Sequence, residues 1–283
     1  MSELTLSAPA PLPVRTRRWR PVLWLSLLVL ATVLGWALAP GLFSSIDPLH
    51  AMPAHALQPP SAAHWFGTDH LGRDLYSRTV HGASLSLRAT TLAVLIALLV
   101  GGAIGLVCGY FSGRVDSLLM RLVEVLMAIP SLLLAMAVIT VLGFGTLNIA
   151  LAVGLSSVAT FIRLTRGEVL RWRASTFVEA ALSCGVGHWA IIARHILPHA
   201  AGPVLALAAL EFGGAVLAVS ALSFLGFGAP PPQPEWGLLI AEGRNFMVAA
   251  WWYTTLPGLV VAAVVLAANQ IARALQKSWG DNR

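Results

Sequence analysis

The chain has 283 residues, of which 57% are hydrophobic and only 11% charged, with a mean hydropathy of +0.78. That is far more apolar side chain than a soluble core of this size can hide, so a soluble globular domain is excluded and an all-α integral membrane protein is expected. The net charge of +6 comes from arginines spread over several loops rather than one face, which argues against nucleic-acid binding.

A helix needs about 20 apolar residues to cross roughly 30 Å of hydrocarbon. On that measure six spans are expected, at 22–39, 89–109, 122–142, 147–162, 203–227 and 254–272. With the N-terminus inside, 14 of the 18 basic residues fall in cytoplasmic pieces, so both termini are expected to be cytoplasmic. Residues 1–20, rich in Pro, Ala and Arg, read as a disordered basic tail meeting anionic headgroups. The first span is too long for a signal-peptide core and reads as an uncleaved anchor, which with the outer segment makes a unit at 21–83 ahead of a multi-span domain at 84–276.

Residues 40–88 form the longest outer stretch, with Pro48, Pro53, Pro59 and Pro60 suggesting an extended lead-in. Then comes Gly67-Thr-Asp-His-Leu-Gly-Arg-Asp-Leu-Tyr-Ser-Arg78, too densely charged for lipid and expected to lie along the outer surface. Its candidate residues are Gly67, Asp69, Gly72, Arg73, Asp74 and Arg78. Five histidines (His50, His55, His64, His70 and His81) share this stretch, but their spacing matches no metal pattern and no metal site is assigned.

In the second span Gly101, Gly105, Gly109 and Gly113 recur every four residues, a ridge expected to let another helix of the same chain approach closely. Pro130 should bend the third span. Glu211, eight residues inside the fifth span, is costly at that depth and is a candidate pathway residue or a packing carboxyl. Asn148 and Asn269 are intramembrane polar candidates, read as interhelical hydrogen-bonding groups. Cys108 and Cys184 support no disulfide framework.

Between the fourth and fifth spans, residues 176–199 read as a polar helix-turn-helix too short to cross a bilayer, and so as a stiff knob projecting from one face. Thr176-x-x-Glu179 reads as a capping box, Gly185 and Gly187 permit a turn, and a second short helix runs to Pro198, which should separate His195 from His199. The chain has no phosphate loop, its single lysine being Lys277. It also lacks a zinc His-Glu-x-x-His, a nucleophile elbow and a dinucleotide turn, so it is not expected to be an enzyme or to hydrolyse ATP.

The run Glu179-Ala180-Ala181, three residues, Gly185, then Leu197-Pro198 resembles the cytoplasmic coupling loop of ATP-binding-cassette importer permeases. His-Ile-Leu-Pro at 195–198, the Gly67 to Arg78 segment, Ala128-Ile-Pro130, Arg163 to Leu170, Leu222-Ser-Phe-Leu-Gly226, Pro234-Glu-Trp-Gly237 and Pro257-Gly258 are similar to the dipeptide, oligopeptide and nickel branch. The resemblance implies a six-helix type I permease fold in a bacterial inner membrane, with Glu179, Ala180, Ala181, Gly185, Leu197 and Pro198 meeting the motor. It also implies a related second permease, two ATPase subunits that bind ATP and Mg, and an extracytoplasmic solute-binding protein, with no cofactor in this chain. The expected cargo is a di- or oligopeptide, with nickel or a metal chelate as the alternative. An ion-coupled transporter working through Glu211 is the reading from a different class.

The chain departs from the family pattern at Ala218 and Val219, where members often carry an acid, and at Ala272-Arg-Ala-Leu-Gln-Lys277 in place of Gly-Asp-x-Leu-Arg-Asp.

Overall fold

A computed structural model describes residues 20–280. The expectations for residues 1–19 and for the last three residues lie outside the described residues. Among the described residues the regular elements are all helices, with one isolated antiparallel bridge between Thr68 and Asp74.

Helix α1 spans Arg20–Leu38. A lead-in with 3₁₀ turns at Pro40–Leu42 and Pro53–His55 follows, and then α2 runs unbroken from Leu75 to Phe111 through one π-type turn at Ala97–Gly101. This helix begins well before the expected span at 89–109. Asp74 caps it, accepting a 2.6 Å hydrogen bond from the Ser77 N–H. A boundary at residue 83 therefore falls inside a continuous helix.

Helices α3 (Arg114–Ala128) and α4 (Ser131–Leu142) replace the third span and meet at 98° across Pro130. The expected bend is here a sharp corner: Ile129 and Pro130 are both extended, as the residue before a proline tends to be. Next come α5 (Thr146–Arg173), α6 (Thr176–Ser183) and α7 (His188–Phe224), the last with a π-type turn at Ile192–Ile196. Helices α8 (Trp236–Gly243) and α9 (Trp251–Gly280) complete the described chain. Among the described residues five helices are long and apolar enough to cross a membrane, and the α3–α4 pair raises this to six if it counts as one broken span.

The fold has two ends. At the knob end α2, α5 and α7 meet around α6; at the cap end the lead-in, the start of α2, α8 and the start of α9 pack together. Between them α2, α4, α5 and α7 bury mostly small residues, including Ala89, Ala93, Ala135, Ala150, Ala152 and Ala215. Small side chains allow the close helix approach by which spans associate where lipid removes most of the hydrophobic drive.

The glycine ridge packs within the chain, as expected, at three of its four positions. A Cβ on Gly101, Gly105 or Gly109 would come within 2.5, 2.7 or 2.8 Å of α5 atoms from Val158 to Val169. Gly113 is not part of it: it lies outside the helix at φ +141° with nothing within 4 Å.

Candidate functional site

The knob is built on the chain ends it joins. Ser175, not Thr176, occupies the N-cap of α6, and it makes no side-chain cap bond; its hydroxyl instead donates to the Trp172 carbonyl at 2.5 Å. The expected capping box is therefore absent, because Ser175 takes the extended backbone that would place Thr176 one residue too late. Helix α6 ends in a Schellman turn: Val186 N–H reaches Ala181 O at 3.1 Å and Gly185 N–H reaches Leu182 O at 2.9 Å. Gly185 makes this closure possible with φ +80°, and no atom lies within 4 Å of where its Cβ would be. The demand on this residue is conformational rather than steric.

One face of the knob is fixed. Val178, Ile191, Ile192 and Ile196 are buried with Tyr110 of α2 and Val169 of α5, and Ala181 and Val186 pack against them. The opposite face is open: Glu179, Ala180 and Gly185 are exposed, Ala181 is half-buried, and Leu197 and Pro198 are exposed at the start of the long helix. The second short helix does not stop at Pro198. The proline sits in the first turn after the π-type turn, where its missing N–H is tolerated, so the segment runs on into α7. His195 and His199 consequently stay on one helix. They gather around Phe177, and His199 stacks on Trp172 at 4.6 Å.

Sequence reading missed three further contacts of the knob end. The Tyr110 hydroxyl meets His188 Nδ1 at 2.7 Å, Arg173 donates to the Ser112 hydroxyl at 3.0 Å, and Arg166 holds Asp116 through both carboxylate oxygens at 2.6 and 2.8 Å. Their partners lie about 50 to 80 positions apart in the chain, beyond any local pattern.

Midway along the Leu197–Phe224 part of α7, Glu211 borders a cavity of about 430 Å³ between α4, α5 and α7, open on one side. Ser131, Ser156 and Ser157 supply hydroxyls, Leu132 and Leu217 apolar walls, and Gly214, Ala218 and Ala221 clearance. The Ser157 hydroxyl donates to Glu211 Oε2 at 3.4 Å. Asn148 and Asn269 lie elsewhere. Asn148 ties the start of α5 to the last carbonyls of α4, donating to Leu142, Gly143 and Phe144 at 3.0 to 3.3 Å. Asn269 of α9 packs against Gly213 of α7, where a Cβ would meet its Oδ1 at 2.8 Å.

At the cap end the charged segment is not surface-lying. Asp69, Arg73, Asp74 and Arg78 are all at most 3% exposed. Asp69 Oδ2 accepts from Arg73 Nε and from Arg78 Nη1, each at 2.6 Å, while Arg78 Nη1 also reaches Glu242 of α8 at 2.8 Å. Tyr253 of α9 donates to the same Glu242 oxygen at 3.0 Å and meets His70 Nδ1 at 3.0 Å. Gly67 and Gly72, with φ of +73° and +77°, turn the backbone so that these groups converge. Charges this dense are buried because they neutralise one another, two arginines against two acids. His64 holds Asp74 at 2.8 Å.

Asp69, His70 and Glu242 do bring ligand-type atoms within 4.8 Å of one another. The two guanidinium groups already occupy the acids there, which leaves the cluster reading as an ion-pair lock. Nearby, Glu235 caps α8, accepting from Gly237 and Leu238 N–H and from the Ser86 hydroxyl, each at 3.1 Å. Burial pushes its carboxyl up, and these hydrogen bonds oppose that. An acid directly before an apolar helical run was a legible cap signal.

Residues 101–280 match the family described as binding-protein-dependent transport system inner membrane component. A dipeptide transport system permease protein of Alkalihalophilus pseudofirmus is 39% identical over 250 residues, covering 88% of this chain and 82% of that protein. A glutathione transport system permease protein of Pectobacterium atrosepticum is 40% identical over 217 residues, covering 77% and 72%. A probable D,D-dipeptide transport system permease protein of Escherichia coli K12 is 42% identical over 212 residues, covering 75% and 70%. With its apolar helices around a projecting knob, this chain belongs to the binding-protein-dependent transport system inner membrane components, the permease subunits of ATP-driven importers with the type I fold.

Proposed function

We propose that this chain forms, together with a related second permease, the inner-membrane pathway for di- or oligopeptides. Two ATPase subunits carrying ATP and Mg power the cycle, and an external solute-binding protein delivers the cargo. The chain itself performs no chemistry. The names of its relatives, which specify dipeptides and glutathione, support this cargo class. The observation that carries the mechanism is the knob: an exposed Glu179-Ala180 face on a short helix whose other face is packed against the ends of α2, α5 and α7. A force applied to that face moves all three helices together, as alternating access between two permeases requires.

The basic residues orient the molecule. Arg114, Arg121, Arg163, Arg166, Arg171, Arg173 and Arg194 fall in the loops and helix ends on the knob side of the expected spans, which supports a cytoplasmic knob and cytoplasmic termini, with the ion-pair lock outside. Residues 67–78 then serve as part of a rigid outer cap beneath the binding protein.

The test is reconstitution with the second permease, the ATPases and the binding protein in liposomes. Peptide-loaded binding protein should stimulate ATP hydrolysis and drive peptide uptake. Uptake that follows an ion gradient without ATP would establish a secondary transporter instead, and uptake of nickel in place of peptide would move the cargo to the metal branch.

A further inference from the structure

Glu211 has a setting unlike that of the acids paired with arginine, and unlike Glu235, which is fully buried and accepts from the Gly237 and Leu238 N–H groups and the Ser86 hydroxyl, it borders an open cavity. Asp69, Asp116 and Glu242 each face an arginine, whereas none of the ion pairs among the described residues includes Glu211. Its one hydrogen bond there comes from Ser157. It stands thirteen residues before Phe224 and fourteen after Leu197, about 20 Å from either end of that helical run at 1.5 Å per residue. A carboxylate so deep in a span needs a cationic or hydrogen-bonding partner. Its side chain meets an open cavity of about 430 Å³, within the range of small-molecule sites.

The lining narrows the choice of partner. Three serines and several small residues line the cavity beside the carboxylate, and no Lys, Arg or His does. The cavity is thus negative only: it favours a cation and disfavours an anion. Peptides differ in their side chains but share a terminal ammonium. The small residues Gly214, Ala218 and Ala221 leave room for variable side chains on the remainder of the molecule.

Resting on the peptide reading above, we propose that Glu211, with the hydroxyls of Ser131 and Ser157, receives the α-ammonium group of the peptide as it crosses the membrane. The peptide carboxylate finds no cation in this cavity and is met from the open side, by water or the second permease. Glu211 is therefore a specificity-determining residue that selects substrates with a free amino terminus.

The experiment uses the assembled transporter in liposomes, wild type against Glu211→Gln and Glu211→Asp, with radiolabelled alanyl-alanine as probe. Binding to the solute-binding protein is measured separately, since Glu211 takes no part in it. Glu211→Gln should assemble, and its ATP hydrolysis should still respond to loaded binding protein, while uptake falls about ten- to hundredfold, the scale of one charge-assisted hydrogen bond. Glu211→Asp should restore part of the uptake.

Unchanged uptake by Glu211→Gln overturns the proposal. So does loss of co-purification with the second permease, which would mean that Glu211 pairs with a cation of that subunit. An equal loss for an N-acetylated dipeptide that the wild type carries also overturns it. If the wild-type complex hydrolyses ATP but moves no peptide, the cargo reading fails instead, and the wild-type arm alone reveals this.

Discussion

The Tyr110 hydroxyl lies 2.7 Å from His188 Nδ1, joining the last turn of α2 to the first residue of α7 across the knob. The ring of Tyr110 is 4% exposed and packs in the same cluster as Val178 and Ile191. Replacing Tyr110 by Phe keeps that packing and removes the hydrogen bond, at a cost of about 1 kcal/mol. The purified protein should then unfold only a few degrees lower, yet move fewer peptides per ATP hydrolysed. A wild-type transport ratio would take this bond out of the coupling path.

Gly185 should tolerate side chains in the order of their ease at positive φ. Its cost is conformational, on the order of 1–2 kcal/mol for an ordinary L-residue and less for Asn. Gly185→Val should reach the membrane but lose transport and substrate-stimulated ATP hydrolysis, with Gly185→Ala and then Gly185→Asn milder. Normal transport by Gly185→Val would show that the knob is not the coupling element. Glu179→Ala removes no side-chain cap bond, because the α6 N-cap is Ser175, but it removes a first-turn acid worth about 0.3–1 kcal/mol, so a transport loss at unchanged thermal stability in that variant reports a contact with the motor.

Burial changes what substitution of the outer charges should do. Arg78→Ala leaves Asp69 and Glu242 facing each other with one guanidinium fewer, a loss of about 3–5 kcal/mol for a broken buried pair. Arg73→Glu adds a third acid to the same cluster. Both variants should show a large drop in thermal stability and in the amount of folded protein in the membrane, rather than a pure defect in uptake. Wild-type stability of Arg78→Ala would contradict the ion-pair lock.

The packing of α2 on α5 gives a paired test. A side chain at Gly105 meets Ile162 O at 2.7 Å and Thr165 Cβ at 2.8 Å, whereas Gly102 has nothing within 4 Å. Gly105→Leu should therefore prevent stable folding, and Gly102→Leu should be tolerated, as measured by detergent-resistant monomer yield. Equal yields would mean that the helices are not in this close contact.

Orientation can be read from the two native cysteines. Cys184 is exposed on the knob and Cys108 is buried in α2. A membrane-impermeant maleimide should label Cys184 in inside-out vesicles and leave intact spheroplasts unlabelled, with Cys108 silent in both. Labelling of spheroplasts at Cys184 would invert the topology.

The sequence by itself determined the membrane class, the order of the spans, a bend at Pro130 and the turn at Gly185, because hydropathy, proline and glycine act locally. It also marked Glu211 as anomalous, since a carboxylate within an apolar run is visible without a structure. Only the tertiary structure decided what the charges do. Arg73 and Arg78 read as surface groups because local charge density signals solvent, but Glu242 and Tyr253 converge on them only after α8 and α9 fold over the cap. The capping box failed for a similar reason: a one-residue shift in where the backbone leaves α5 moved the cap to Ser175. The cavity beside Glu211 belongs to three helices at once, and nothing in any one of them announces it. Local propensity fixes elements, whereas partners brought together across some 50 to 180 residues depend on packing that no single window of the chain contains.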